Sequence, residues 1–227
     1  MPAIVRRIGA EFVGTWGIVV VVVGSGIMAQ RLTDDVGVEL LANTIATTGG
    51  LVLFISLFAP ISGSQFNPVV TLVQWLNRRM PAIEVLPYIA AQIGGACLGA
   101  ITANVMFNLD AINVSTKVRD GGPIIVGEIV ATAVLVLLIE GFIRSDRGNV
   151  IPAMVAAWIT AAYWCTSSTS FANPAVSIGR SLSDTFAGIK PSSLPMFFVG
   201  QLAGGAAGLF VATLVFGPSR RSEERAS

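Results

Sequence analysis

Two asparagine-proline pairs, Asn67-Pro68 and Asn173-Pro174, lie deep inside stretches that contain no charged residue. Asparagine is among the best helix N-caps and proline is favoured at the first helical position, so each pair marks a helix start. The unsatisfied N–H groups at such a start carry about half a positive charge. Two starts facing each other across a low-dielectric passage oppose cations. Each carboxamide oxygen can accept from its own helix, which leaves the NH2 free for a passing solute and interrupts a proton wire through water. This chemistry is passage of neutral polar molecules rather than bond making.

Glu11 and Glu128 are the other candidates, because a carboxylate inside an apolar helix costs roughly 2.5–3.5 kcal/mol on insertion scales and needs a partner. They have two readings. As a proton relay they would make the chain a proton-coupled secondary transporter. As scaffold, each would accept N–H groups from the loop leading to a half-helix. An enzyme is not expected: the sequence has no histidine, which rules out a histidine-based triad. Cys97 and Cys165 lie in apolar stretches without a CxxC partner and read as core thiols, so no metal site and no cofactor are implied. A net charge of +1 without a basic face gives no indication of a nucleic-acid partner.

The elements that position these residues belong to a membrane protein. The chain is 53% apolar and 12% charged, about half the usual charge for a soluble domain. Charge-free runs cover 12–30, 40–77, 85–109, 148–179 and 191–219, and a further apolar stretch over 123–143 carries Glu128 and Glu140. The first run has no small-residue cleavage pattern near its end and is read as a mature helix rather than a signal peptide. Two runs, 38 and 32 residues long, exceed one span of about 20 residues. Each ends in a small, polar, proline-containing segment, ISGSQFNPVVT or TSSTSFANPAVS. Such backbone is tolerated at membrane depth only when it is buried in protein or lines a wet cavity, so both segments read as re-entrant. Spanning helices are predicted at 8–29, 39–60, 82–108, 123–143, 150–166 and 194–216. With the N-terminus cytoplasmic, nine of the basic residues fall inside and five outside, which places both chain ends in the cytoplasm.

Self-comparison reveals a repeat. AEFVGTWGIVVVVVG aligns with GEIVATAVLVLLIEG, NPVV with NPAV, and AAQIGGACLGA with VGQLAGGAAGL, at offsets of 117, 106 and 109. Three spans per half make the second half enter from the opposite side, an inverted repeat that brings the two asparagine-proline elements together near the midplane. The expected fold is an all-α membrane protein of six transmembrane helices plus two re-entrant half-helices. It forms one integral domain over 1–227, with halves 8–108 and 123–216 and a cytoplasmic tail at 217–227. Gln92, Gln201 and their neighbouring glycines read as close helix packing, and the polar loop at 109–122 as a cover over the outer mouth. Glu140 departs from the repeat and has no assigned role; pairing in a subunit interface is one option.

Together AEFVGT, ISGSQFNPVVT, YIAAQIGGA, GEIVAT, FANPAVS and FFVGQLAGG resemble the major intrinsic proteins, the family of aquaporins and glycerol facilitators, over residues 8–216. The second signature box is intact as Asn173-Pro174-Ala175, while the first reads Asn67-Pro68-Val69; the valine is expected to alter packing more than function. These six residues form the central constriction that the resemblance implies. Counting from the boxes carries the family's outer filter over to Thr47, Ala161, Ser170 and Val176. Water-selective members have an aromatic, a histidine, a small residue and an arginine there. The implied filter is therefore wide and arginine-free, open to water, glycerol-like polyols and larger uncharged solutes, and closed to ions and protons. Arg180, four residues beyond Val176 on the same helical face, is an outer-vestibule candidate; its other reading is a pair with Asp184 or solvent. The resemblance also implies scaffold roles for Glu11 and Glu128, a homotetramer with one pore per subunit, and a lipid bilayer and small neutral solutes as the remaining partners. A similar bacterial subgroup is associated with arsenic resistance, which adds arsenite or methylated arsenicals as candidate solutes. A bacterial inner membrane is the expected location.

Overall fold

The computed structural model describes residues 3–219. Its helices are α1 Ala3–Leu32, α2 Val36–Ser62, α3 Pro68–Leu76, α4 Ala82–Met106, α5 Gly122–Arg144, α6 Ile151–Cys165, α7 Pro174–Arg180 and α8 Leu194–Phe216. Helices α1, α2, α4, α5, α6 and α8 are the six expected spans, and α3 and α7 are the two half-helices. Five of the six are long and apolar enough to cross a membrane on their own. The exception, α6, has 15 residues, about 22 Å of helix, and a 3-10 turn at Gly148–Val150 precedes it. It ends where the serine- and threonine-rich re-entrant segment begins.

Helix α1 begins five residues before its predicted start, and α2 begins at Val36 because Asp35 caps it, accepting from the Gly37 and Val38 amides at 2.8 and 3.1 Å. Glu39 therefore lies inside α2 and is buried. A charge was a poor marker of that boundary. Helix α2 runs through Pro60 and stops at Gly63, whose φ of 86° is open to glycine without a Cβ penalty.

The two halves are built alike. Helix α1 packs along α4 as α5 packs along α8. A Cβ on Gly99 would lie 2.6 Å from the Trp16 carbonyl oxygen, and one on Gly204 2.5 Å from that of Ile129. Gly95 against Phe12 and Gly208 against Ala133 leave less room still. Glycines four apart thus let each helix pair approach backbone to backbone, where dispersion contacts drive association in lipid.

Both described chain ends lie on one face. Arg7 at the start of α1 pairs with Glu84 at the start of α4 at 2.8 Å. Arg79, after α3, reaches Ser219 at 3.4 Å, and Arg144 donates to the Gly217 carbonyl at 2.5 Å. Glu140 belongs to this knot: it is fully buried and pairs with Arg79 at 2.6 Å and Arg144 at 3.1 Å. Its partners come from its own chain, so no subunit interface is required. The rest of the expected tail, 220–227, lies outside the described residues. On the other face, the loop between α4 and α5 lies across the segment after α7. There the Ser115 amide donates to the Ser181 carbonyl at 2.9 Å, and the Asp184 carboxylate accepts from the Thr116 amide at 2.8 Å. These bonds hold the Asp184 carboxyl below its ordinary pKa, the Thr116 amide contributing most.

Candidate pore and its constrictions

Half-helices α3 and α7 start at the asparagine-proline pairs. The Asn67 side-chain oxygen accepts from the Val69 amide at 2.9 Å, and that of Asn173 from the Ala175 and Val176 amides at 3.0 and 3.3 Å. Each NH2 also crosses to the opposite half: Asn67 Nδ2 donates to the Ala172 carbonyl and Asn173 Nδ2 to the Phe66 carbonyl, both at 2.7 Å. The carboxamides are thus less free than the sequence suggests. One hydrogen on each locks the halves together, and one remains for a solute.

The re-entrant loops are held from behind by the paired glutamates. Glu11 accepts from Ser62 Oγ at 2.6 Å, from the Gln65 and Phe66 amides at 3.0 and 2.7 Å, and from Gln92 Nε2 at 2.8 Å. Glu128 does the same for the Phe171 and Ala172 amides, both at 2.9 Å, and for Gln201 Nε2 at 2.6 Å. Gln92 and Gln201 are therefore polar bridges from carboxylate to half-helix, the former reaching Thr71 and the latter Ser177, rather than packing residues alone. Ser64, Phe66, Ser170 and Ala172 take left-handed backbone with φ of 49°, 48°, 53° and 50°. Such non-glycine residues cost about 1–2 kcal/mol each, which the carboxylate anchors offset.

A single cavity of about 280 Å³ runs past both asparagines, from Gln74 and Gly148 at one end to Thr47, Tyr163 and Arg180 at the other. Of the six box residues only Asn67 and Asn173 line it. Pro68 and Pro174 start the half-helices, Ala175 is buried, and Val69 points away to pack with Val73 and Val136. Gly205 makes room for Val69, since a Cβ there would meet the valine side chain. Neither Glu11 nor Glu128 reaches the lumen; both are fully buried and ringed by donors.

At the end where α7 enters, Thr47, Ser170 and Val176 line the cavity, but Ala161 does not. Ala161 is exposed on the outer face of α6. The lining stripe of that helix is Ile151, Val155, Ile159 and Tyr163, spaced by four, while Ala153, Ala157 and Ala161 occupy the opposite side. Counting back from the box misplaces the face by two residues, or about 200° of helix. Tyr163 takes the place expected of Ala161 and brings its hydroxyl to within 3.4 Å of Thr47 Oγ1. The alternation of large and small residues at a spacing of four is the signal that could have found it.

Arg180 reaches the cavity beyond Val176, as its outer-vestibule reading expects. Arg180 is 3% exposed and lines the same cavity. It does not pair with Asp184: its Nε donates to the Ala187 carbonyl at 2.5 Å, and its guanidinium lies 3.4 Å from the centre of the Phe171 ring. Arg119 approaches the same ring at 5.2 Å and donates to the Gly188 carbonyl at 2.8 Å, and Lys117 holds the Phe186 carbonyl at 3.0 Å. Three cations therefore fasten three consecutive carbonyls at this mouth.

A model described as major intrinsic protein matches residues 1–163 of the chain. The aquaglyceroporin AqpS of Rhizobium meliloti (strain 1021) is 44% identical over 95% of this chain and 92% of its own length. Aquaporin AqpM of Methanothermobacter marburgensis is 29% identical over 90% of this chain and 94% of its own. The X-ray structure of the aquaglyceroporin from Plasmodium falciparum shares the fold, with a TM-score of 0.69 over 99% of this chain and 100% of that one at 18% identity. The chain is a member of the major intrinsic protein family, built as two inverted halves around one cavity.

Proposed function

We propose that the protein is a passive transmembrane channel for small uncharged solutes, conducting water and glycerol-like polyols and excluding ions and protons. The observation that carries this reading is the cavity passing between two opposed half-helix starts, with a wall that is mostly aliphatic. An ion in such a passage loses its hydration shell without compensation, whereas a neutral polyol can use the remaining amide hydrogens of Asn67 and Asn173. The similarity to proteins called aquaglyceroporins supports the same solute class. Arsenite, neutral as As(OH)3 at pH 7 and shaped like a polyol, and methylated arsenicals fall within it. The working unit is a homotetramer with one pore per chain, in a bacterial inner membrane with both chain ends in the cytoplasm, following the family and the bias of basic residues.

The proton-coupled alternative has little to support it, because Glu11 and Glu128 are both consumed in anchoring loops. The test of the channel is solute equilibration in proteoliposomes. Glycerol and arsenite should equilibrate faster than in empty vesicles, and Val176→Arg should reduce both by narrowing the lumen beside Ser170. Rates equal to those of empty vesicles would remove the reading, and an unchanged Val176→Arg variant would remove Val176 from the constriction.

A further inference from the structure

Two polar residues at the α3 end of the cavity, Gln74 and Glu140, belong neither to the asparagine junction nor to the loop anchors. Gln74 follows Asn67 and Val70 along the lumen-facing stripe of α3. At the repeat offset of 106 its counterpart is Arg180, so each half places one polar lining residue two turns past its asparagine. Glu140 has no counterpart in the repeat and is fully buried. The two residues meet: Gln74 Nε2 donates to Glu140 Oε1 at 3.3 Å, and Gln74 Oε1 accepts from Arg79 Nη1 at 3.1 Å. The turn that ends α3 brings Arg79 there. Its amide returns to the Gln74 carbonyl at 2.9 Å and the Arg78 amide to that of Trp75 at 2.8 Å, with Arg78 in left-handed backbone at a φ of 56°. This is a Schellman closure, made here with arginine at the position where glycine is usual. Arg79 then grips both Glu140 oxygens, at 2.6 and 3.0 Å.

We propose that Gln74 is a specificity-determining residue for neutral solutes rich in hydroxyl groups, and that Arg79, fixed by Glu140, is the positioning residue that holds it in the lumen. This inference rests on the channel reading and adds a second polar station to it. Gln74 lies about 10 Å of helix from Asn67. The cavity wall there is aliphatic, from Val70 and from Leu135 and Ile139, the lining residues of the α5 stretch that leads to Glu140. A solute hydroxyl finds no partner on such a wall, and each one left bare is costly. A carboxamide at the end of the dry stretch shortens it. The donor from Arg79 and the acceptor from Glu140 together fix which end of the carboxamide is oxygen and which is nitrogen. One Nε2 hydrogen and one Oε1 lone pair remain to offer, and a hydroxyl can use either. Glycerol brings three hydroxyls through the dry stretch and propane-1,3-diol two, so glycerol depends more on the station. Glu140 adds no attraction for cations, because Arg79 and Arg144 both pair with it.

The test uses the full-length chain in proteoliposomes and reads the ratio of glycerol to propane-1,3-diol flux above empty vesicles, so that differences in incorporation cancel. Gln74→Leu, which extends the aliphatic wall, should lower the ratio about fivefold, the scale of one neutral hydrogen bond. Arg79→Ala should move it in the same direction. In the Gln74→Leu background the Arg79 substitution should change the ratio no further, since Arg79 acts through Gln74. An unchanged ratio in Gln74→Leu would overturn the proposal. A uniform slowing of both solutes by Arg79→Ala, or an equal drop in the ratio with and without Gln74, would overturn the positioning role. Should Arg79→Ala fail to fold, Arg79→Lys carries the same comparison, because it keeps a charge opposite Glu140 but not the fork that also holds Gln74. Absence of all solute flux in the wild type would instead overturn the channel reading on which the station depends.

Discussion

Each carboxylate oxygen of Glu11, Glu128 and Glu140, all fully buried, has a donor aimed at it. Glu128 collects two backbone amides and one glutamine NH2, and removing it would strand the Phe171 and Ala172 amides in the protein interior. At about 1–3 kcal/mol per stranded group, Glu128→Ala should cost several kcal/mol, seen as a large drop in detergent unfolding temperature. Glu128→Gln keeps one acceptor and should lose distinctly less. A proton-relay role predicts the reverse emphasis, with stability kept and flux lost. The two glutamates were legible in the sequence because the repeat aligned them and the cost of a charge at helix centre demanded partners. Tyr163 was not, because a position counted from a motif carries no information about which side of α6 faces the lumen. Arg180 was legible as a residue on the right helical face, but its partner was not: the Ala187 carbonyl and the Phe171 ring leave no trace in spacing.

At the scale of helices, the structure depends on four glycines more than on any amphipathic pattern. Gly95 and Gly99 on α4 and Gly204 and Gly208 on α8 sit against the backbones of α1 and α5. Gly208→Leu should therefore force α8 off α5, at roughly 1–3 kcal/mol or more, and lower the unfolding temperature. Gly9 has open space around its Cβ position and lies inside α1. Gly9→Ala should leave that temperature unchanged or raise it slightly, in line with helix propensity. Equal effects of the two substitutions would contradict the close-packing account. The six spans and both half-helices could be read from charge-free runs and asparagine-proline punctuation. Helix ends were less legible, since Glu39 and Arg6 lie within helices that the charge pattern would have trimmed.

For the whole molecule, inversion explains why one sequence motif occurs twice and does one job. Two half-helices enter from opposite faces, and the asparagine of each binds the loop carbonyl of the other, so neither half can form the lumen alone. The cavity continues past that junction, and the charged residue in its lining, Arg180, is an arginine held in place by the Ala187 carbonyl. Such a passage has no site that binds and releases a proton as it alternates. The direct test is glycerol flux in proteoliposomes with and without an imposed proton gradient. The account predicts equilibration to the same final internal concentration in both, with no proton movement accompanying the solute. Accumulation of glycerol above its external concentration when the gradient is present would contradict it.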